Sequence, residues 1–277
     1  MTRTLSLLTD EVSPDLEAAL RFAVEAGLES VDVRSIGGRN FLSLSRAEQQ
    51  RIAWQIKQAG LVVGCLATPL LKWAAPGRAS GPAGDQFGFD TRGRAPSALF
   101  DDAFAAAEIL GTRNLRIFSL LAYPGFKLAD LEADYAALIA RAERLDMVLH
   151  VENEPVCNVA SIEALADLVD AWRHPRLRAL LDIGNATSVA QAPPSTGACV
   201  QVMPFVDLMH FKDWSRERRR VVALGQGDIP YSTILPACFA AAADRPLLLT
   251  IETHVPEDQP GATRRSLDQL RRLIKLA

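Results

Sequence analysis

Three carboxylates and one imidazole stand out because each sits where an apolar run stops. Residues 148–155 read VLHVENEP, an apolar run that ends at Glu152 and is halted by Pro155. RALLDIGNA ends its run at Asp182, FVDLMHFKDW carries His210, and LLLTIETH ends at Glu252, so four successive runs each end on a ligand-type side chain. Carboxylates gathered at one low-dielectric mouth repel one another and some would take up protons. A divalent cation removes that repulsion. An oxygen-rich donor set with one imidazole suits Mn²⁺, Mg²⁺ or Co²⁺ in near-octahedral geometry, ahead of Zn²⁺. Two open positions on such an ion accept neighbouring oxygens of a sugar or hydroxyketone, where it acts as a Lewis acid on a developing enediolate. One strand-end carboxylate alone is more simply a helix cap or a surface charge; the repetition is what points to a metal centre.

Other side chains fall beside these ends. Lys212 follows His210 by two residues, and the period-2 alternation of a strand turns both to one side. There it is either a cation that polarises a carbonyl or a salt-bridge partner of Asp213 or Glu152. His150 precedes Glu152 by two and should also face inward, as a neighbour of substrate or as a hydrogen-bonded interior residue. Arg34 and Lys72, near the ends of the second and third runs, bring positive charge towards hydroxyl, carboxylate or phosphate oxygens. Arg216 belongs to a basic cluster with Arg218, Arg219 and Arg220, ordinarily a solvated face, of which Arg216 is best placed to reach a substrate. Trp73, Phe87 and Phe89 supply an apolar lid or a subunit contact, Trp214 a pocket wall, and GQGD at 225–228 a second loop over the site or a simple turn.

The elements that must position these groups alternate strictly. Strand-like runs at 4–9, 30–36, 61–68, 114–120, 147–152, 177–183, 205–211 and 246–252 are separated by stretches of helical spacing at 16–26, 44–59, 97–110, 128–145, 161–172, 231–243 and 261–276. Residues 186–203 are interrupted by Pro193, Pro194 and Gly197 and predict no regular helix. Alternation of this kind demands parallel strands with right-handed crossovers, and eight units in 277 residues match a closed (β/α)8 TIM barrel of one α/β domain. In an open sheet the four ligand-type residues would spread along a line, whereas in a barrel they face one axis. The connection at 69–96 is long and rich in glycine and proline, the kind of loop that is functional or disordered.

Composition sets the outer limits. The chain is 49% hydrophobic and 23% charged with a formal net charge of -3, so no global charge attracts nucleic acid or an anionic membrane. Cys65, Cys157, Cys199 and Cys238 are widely spaced with no CxxC pair, and no leader-like segment precedes them, which leads us to expect reduced thiols in a cytoplasmic protein. No apolar run approaches the roughly 20 residues of a membrane helix. A homo-oligomer is compatible with all of this.

VENEP, LDIGNA, HFKDW and TIETH, in that order at the ends of strands five to eight, resemble the xylose-isomerase-like sugar phosphate isomerase/epimerase family of TIM barrels. VDVRS, LATPLLKW and RIFS are similar to its earlier strand ends, so the resemblance spans essentially the whole chain. It implies that Glu152, Asp182, His210 and Glu252 bind one divalent metal, and that Glu152 and Glu252 act as acid and base on opposite faces of a substrate carbon. Ketose epimerases of this family usually carry histidine three residues after the strand-six aspartate; here that position is Asn185, which would meet the substrate. The implied activity is isomerisation or epimerisation of a sugar, sugar acid or keto-cyclitol, with a lyase or dehydratase reaction on a keto-sugar as the alternative. Phosphate on the substrate is not required, since no glycine-rich phosphate loop is evident. Abasic-site endonucleases share the barrel but need three zinc ions and many more than the four histidines present. A non-catalytic sugar-binding barrel would have no need of the complete ligand set.

Overall fold

The computed structural model describes residues 3–276. The eight apolar runs all become parallel strands: β1 (Arg3–Leu7), β2 (Ser30–Val33), β3 (Val62–Leu66), β4 (Asn114–Ile117), β5 (Val148–Glu152), β6 (Leu177–Asp182), β7 (Val206–Phe211) and β8 (Leu247–Ile251). Each pairs with its sequence neighbour, β8 pairs with β1, and β1 meets β2 through a bridge between Leu8 and Asp32 that completes the ring. Register fixes the site: Asp182 on β6 lies opposite His210 on β7, and His210 lies opposite Thr250 on β8. Glu252 follows β8 directly, its backbone N–H donating to the Phe211 carbonyl at 3.0 Å.

Helices cover the outside: α1 (Leu16–Glu25), α2 (Arg46–Gln58), α3 (Pro96–Leu110), α4 (Glu132–Arg144), α5 (Ile162–Trp172), α6 (Ile183–Ala190), α7 (Thr196–Val202), α8 (Tyr231–Ala242) and α9 (Gln259–Leu276). Local chemistry sets their starts. Ser45 and Glu48 form a reciprocal capping box for α2, and Ser161 caps α5 by accepting from the Ala164 N–H. The main apolar core lies between strands and helices, while Cys65, Leu180 and Leu208 form a small cluster of their own. The four cysteines are buried free thiols.

Several segments differ from the sequence reading: the strand read at 30–36 stops at Val33, with Ser35–Ile36 in a short hairpin with Arg39–Asn40, and the loop after β7 pairs Asp213–Ser215 with Arg220–Val222. Residues 186–203 contain helix after all, because α6 starts at once after Asp182 and α7 starts at a Ser195 cap beyond Pro193 and Pro194. The strand read at 114–120 stops at Ile117; beyond it Phe118 and Leu120 donate to carbonyls of Leu70 and Leu71 in the third loop, and Leu120 has a positive φ of 61°. That loop, from the end of β3 to the start of α3, contains no strand or helix, as its composition predicts. No helix among the described residues is long and apolar enough to cross a membrane.

Candidate active site

Glu152, Asp182, His210 and Glu252 converge at the C-terminal end of the barrel, each offering one ligand atom within 4.8 Å of the others. All four are buried, between 0 and 2% exposed. His210 Nδ1 stands 3.3 Å from both Glu152 Oε1 and Glu252 Oε2. Asp182 uses its two oxygens differently: Oδ1 caps α6 by accepting the Asn185 N–H at 2.8 Å, and Oδ2 turns into the cluster. The strand that supplies the ligand therefore also starts the helix that supports it.

Cations surround these carboxylates. Lys212 Nζ lies 2.6 Å from Asp182 Oδ2 and 2.5 Å from Glu252 Oε2, and donates to Asn185 Oδ1 at 3.1 Å. Gly184 makes room for it, since a Cβ there would stand 2.3 Å from Lys212 Cγ. Arg116 donates to Glu152 Oε2 at 3.1 Å and to the carbonyls of Thr68 and Ala67. Arg34 donates to Glu252 Oε1 at 2.7 Å, Glu11 Oε1 at 2.6 Å and Asp10 Oδ2 at 2.9 Å. His254 bridges Glu11 Oε1 at 3.2 Å and Glu252 Oε1 at 3.5 Å.

Burial opposes ionisation of every carboxylate here, and the outcome turns on whether neighbouring charges offset it. Against burial, Arg116 and His210 hold Glu152 at about 2, and Lys212, His254 and His210 hold Glu252 well below the usual carboxylate range. For Asp182 burial outweighs Lys212 and the pKa rises. Burial would neutralise His210, yet Glu252 and Glu152 raise it to about 9.

The residues fit a divalent cation. Asp182 Oδ2 and His210 Nδ1 are buried with no aligned hydrogen-bond partner, and three carboxylates with an imidazole converge on one point. The ammonium of Lys212 touches two of the same carboxylates, so lysine and metal compete for them unless the lysine shifts.

Of the remaining residues singled out in the sequence, Asn185 is in the cluster, donating to Glu152 Oε1 at 3.2 Å and to the Asn153 carbonyl at 3.0 Å. Arg34 borders the cluster, and three others lie away from it. Arg34 is 2% exposed with its donors committed to three carboxylates, Glu252 among them. Lys72 pairs with Glu154 at 3.4 Å and lies over the Phe118 ring. Arg216 is exposed and pairs with Asp228 at 3.7 Å, outside the cluster. His150 faces inward but lies one layer lower, bonded to Asn114 at the start of β4. In the third loop Phe87 lies over the Arg34 guanidinium at 3.5 Å and stacks on His254, whereas Trp73 stacks on Phe100 of α3. The GQGD segment wraps the Asp213 carboxylate, which accepts from the N–H groups of Gly225, Gly227 and Ile229.

Sequence reasoning passed over Arg116, Glu11 and His254. His254 follows Glu252 by two residues, the same spacing that singles out Lys212 after His210. Arg116, a charge in the middle of the apolar run NLRIFSL, carries the signal of an interior cation.

Barrel and cluster together define a TIM barrel with a metal-type centre at the C-terminal end of its sheet. Residues 20–273 match the model of the xylose isomerase-like TIM barrel, and the chain belongs to that family. Among solved structures it is similar to a probable 3-DHS dehydratase involved in petrobactin synthesis from Bacillus anthracis, with 16% identity, 97% and 98% of the two chains covered and a TM-score of 0.71. It is also similar to a D-allulose 3-epimerase from Methylomonas sp., with 14% identity, 98% of each chain covered and a TM-score of 0.72. A third, a xylose isomerase-like TIM barrel protein from Mycobacterium smegmatis in complex with magnesium, shares 11% identity over 99% of this chain and 97% of its own, with a TM-score of 0.68. At these identities the likeness establishes the fold. No curated protein matches by sequence.

Proposed function

We propose that the protein is a divalent-metal-dependent isomerase or epimerase that moves a proton on the carbon beside a carbonyl of a sugar, sugar acid or keto-cyclitol. The observation that carries this reading is the convergence of Glu152 Oε1 and Glu252 Oε2 on His210, each 3.3 Å from its Nδ1. Glu152, Asp182, His210 and Glu252 hold the ion, and the donor set favours Mn²⁺, Mg²⁺ or Co²⁺ over Zn²⁺. When bound, a divalent ion there supplies Lewis acidity to a carbonyl and its neighbouring hydroxyl.

The chain's own groups do the rest. Arg116 and Asn185 fix the two oxygens of Glu152, and Arg34 and Lys212 fix those of Glu252, so both carboxylates are preorganised. One glutamate takes the proton from carbon to leave an enediolate, and the other glutamate or Lys212 Nζ returns one. Return to the opposite face of the same carbon gives the epimer; return to the adjacent carbon gives the isomer. Loss of a β-hydroxyl from the enediolate gives a lyase. That second reading is favoured by Asn185, a neutral amide that cannot donate a catalytic proton, and by the Lys212 ammonium, a ready acid for a leaving hydroxyl.

The test is incubation with keto-sugars, sugar acids and keto-inositols plus Mn²⁺ in D₂O, followed by NMR. Deuterium at the carbon beside the carbonyl without loss of water is expected, and its disappearance in Glu252→Gln accompanies it. Loss of water would move the assignment to the lyase, and undiminished turnover by Glu252→Gln would overturn the mechanism.

A further inference from the structure

The barrel has a second concave end. At its N-terminal face, away from the ligand cluster, the first residues of β2, β3, β4 and β8 (Ser30, Val62, Asn114 and Leu247) border a cavity of about 780 Å³. Gly64 keeps its floor open, because a Cβ there would lie 2.7 Å from Ser30 Oγ and from Asp32 Oδ1. Catalysis in these barrels belongs to the other end, so this cavity has no part in the reaction proposed above.

Two polar atoms in its wall have no partner among the described residues: Ser30 Oγ and His150 Nδ1, on side chains 1% and 2% exposed. The hydrogen-bond network assigns the imidazole tautomer. Asn114 Nδ2 donates to the Gly64 carbonyl at 2.8 Å, which leaves its Oδ1 to face His150 Nε2 at 2.9 Å. Nε2 therefore carries the ring proton and Nδ1 is a bare acceptor. A buried acceptor without a donor costs free energy, and a ligand hydroxyl would recover it.

The rim has the opposite character. Arg178 grips Asp207 through Nε at 2.7 Å and Nη2 at 2.9 Å, and Arg245 Nη1 approaches the same carboxylate at 3.3 Å. Two guanidinium groups share one carboxylate, so one positive charge is left over beside the opening.

We propose that the N-terminal end of the barrel binds a small hydroxylated anion, its hydroxyl donating to His150 Nδ1 and its carboxylate or phosphate facing Arg178 and Arg245. Nothing in this assignment depends on the metal centre. The test is a ¹⁵N-imidazole NMR titration of metal-free protein with gluconate and, separately, glucose 6-phosphate, the His150 signals being assigned by their loss in His150→Gln. A saturable upfield shift of Nδ1 with a Kd near or below about 1 mM is expected for at least one of the two. The tighter binder identifies the anionic group. Arg245→Gln, at the rim, should weaken that binding about tenfold, and Ser30→Ala should weaken it by a smaller factor. Should either variant fail to fold, the other carries the comparison. No saturable shift of Nδ1 below about 10 mM with either probe would mean that the end holds ordered water only, and an unchanged Kd in the folded variants would mean that the probe binds without these residues; either result would overturn the proposal.

Discussion

Arg34 is a buried cation held by three carboxylates, and replacing it with methionine should separate a brace from a substrate contact. Its guanidinium is 2% exposed, donates to Asp10, Glu11 and Glu252 at 2.6–2.9 Å, and is covered by Phe87 at 3.5 Å. Methionine fills much of the same volume against Phe87 but leaves two buried carboxylates, Glu11 and Glu252, and the half-buried Asp10 short of their shared cation. Removing one partner from a buried ionic set costs about 3–5 kcal/mol. For a domain of this size that corresponds to a fall in Tm of about 10 °C. The assay is urea and thermal unfolding of metal-free protein. The pH dependence gives an internal check. Despite burial, His254 and Arg34 depress the pKa of Glu11, and Lys212 and His254 that of Glu252. Groups with depressed pKa values stabilise the fold above their ordinary pKa and lose that contribution as pH falls. The difference between wild type and Arg34→Met should therefore be full at pH 7 and narrow as the pH falls below the usual carboxylate range. Arg34→Lys, which keeps the charge but not the fork of donors, should lie between the two. A loss below about 1 kcal/mol at pH 7 would refute the brace and return Arg34 to the role of a substrate contact.

Asp32 supplies a test with the opposite sign. It accepts from Ser6, Thr250 and the Cys65 N–H, and burial, only partly offset by those bonds, raises its pKa to about 6. A raised carboxylate stabilises the fold below its ordinary pKa and loses that contribution as pH climbs through about 6. Relative to wild type, Asp32→Asn should gain about 2–3 kcal/mol between pH 4 and pH 7 in denaturant titrations, and a pH-independent difference would contradict this. Gly184→Ala would place a Cβ 2.3 Å from Lys212 Cγ, so Lys212 must leave Asp182 and Glu252. We expect about 1–3 kcal/mol of destabilisation together with loss of turnover, and normal activity would show that Lys212 has no fixed part in the reaction.

The strand order, most of the crossover helices and the convergence of the four ligand-type side chains are legible because hydrophobic period and strand-end position are local properties. Depth along the barrel axis is not local. His150 and Glu152 share one side of β5, yet they open towards opposite ends, and alternation alone cannot distinguish them. Partnership is not local either: Arg34 looks like a free cation in VDVRS until Asp10 and Glu11, from the turn after β1, and Glu252, from beyond β8, close around it. Helix α6 was hidden because its cap, Asp182, reads as a ligand; its Oδ1 caps the helix while Oδ2 turns into the cluster.

The most direct test of the central claim is Mn²⁺ binding to chelator-stripped protein, followed by electron paramagnetic resonance with parallel circular dichroism. The account predicts one bound Mn²⁺ per chain in wild type, and loss of that binding in Asp182→Asn and His210→Leu variants that retain the wild-type circular dichroism. No bound Mn²⁺, or undiminished binding in both variants, would contradict it.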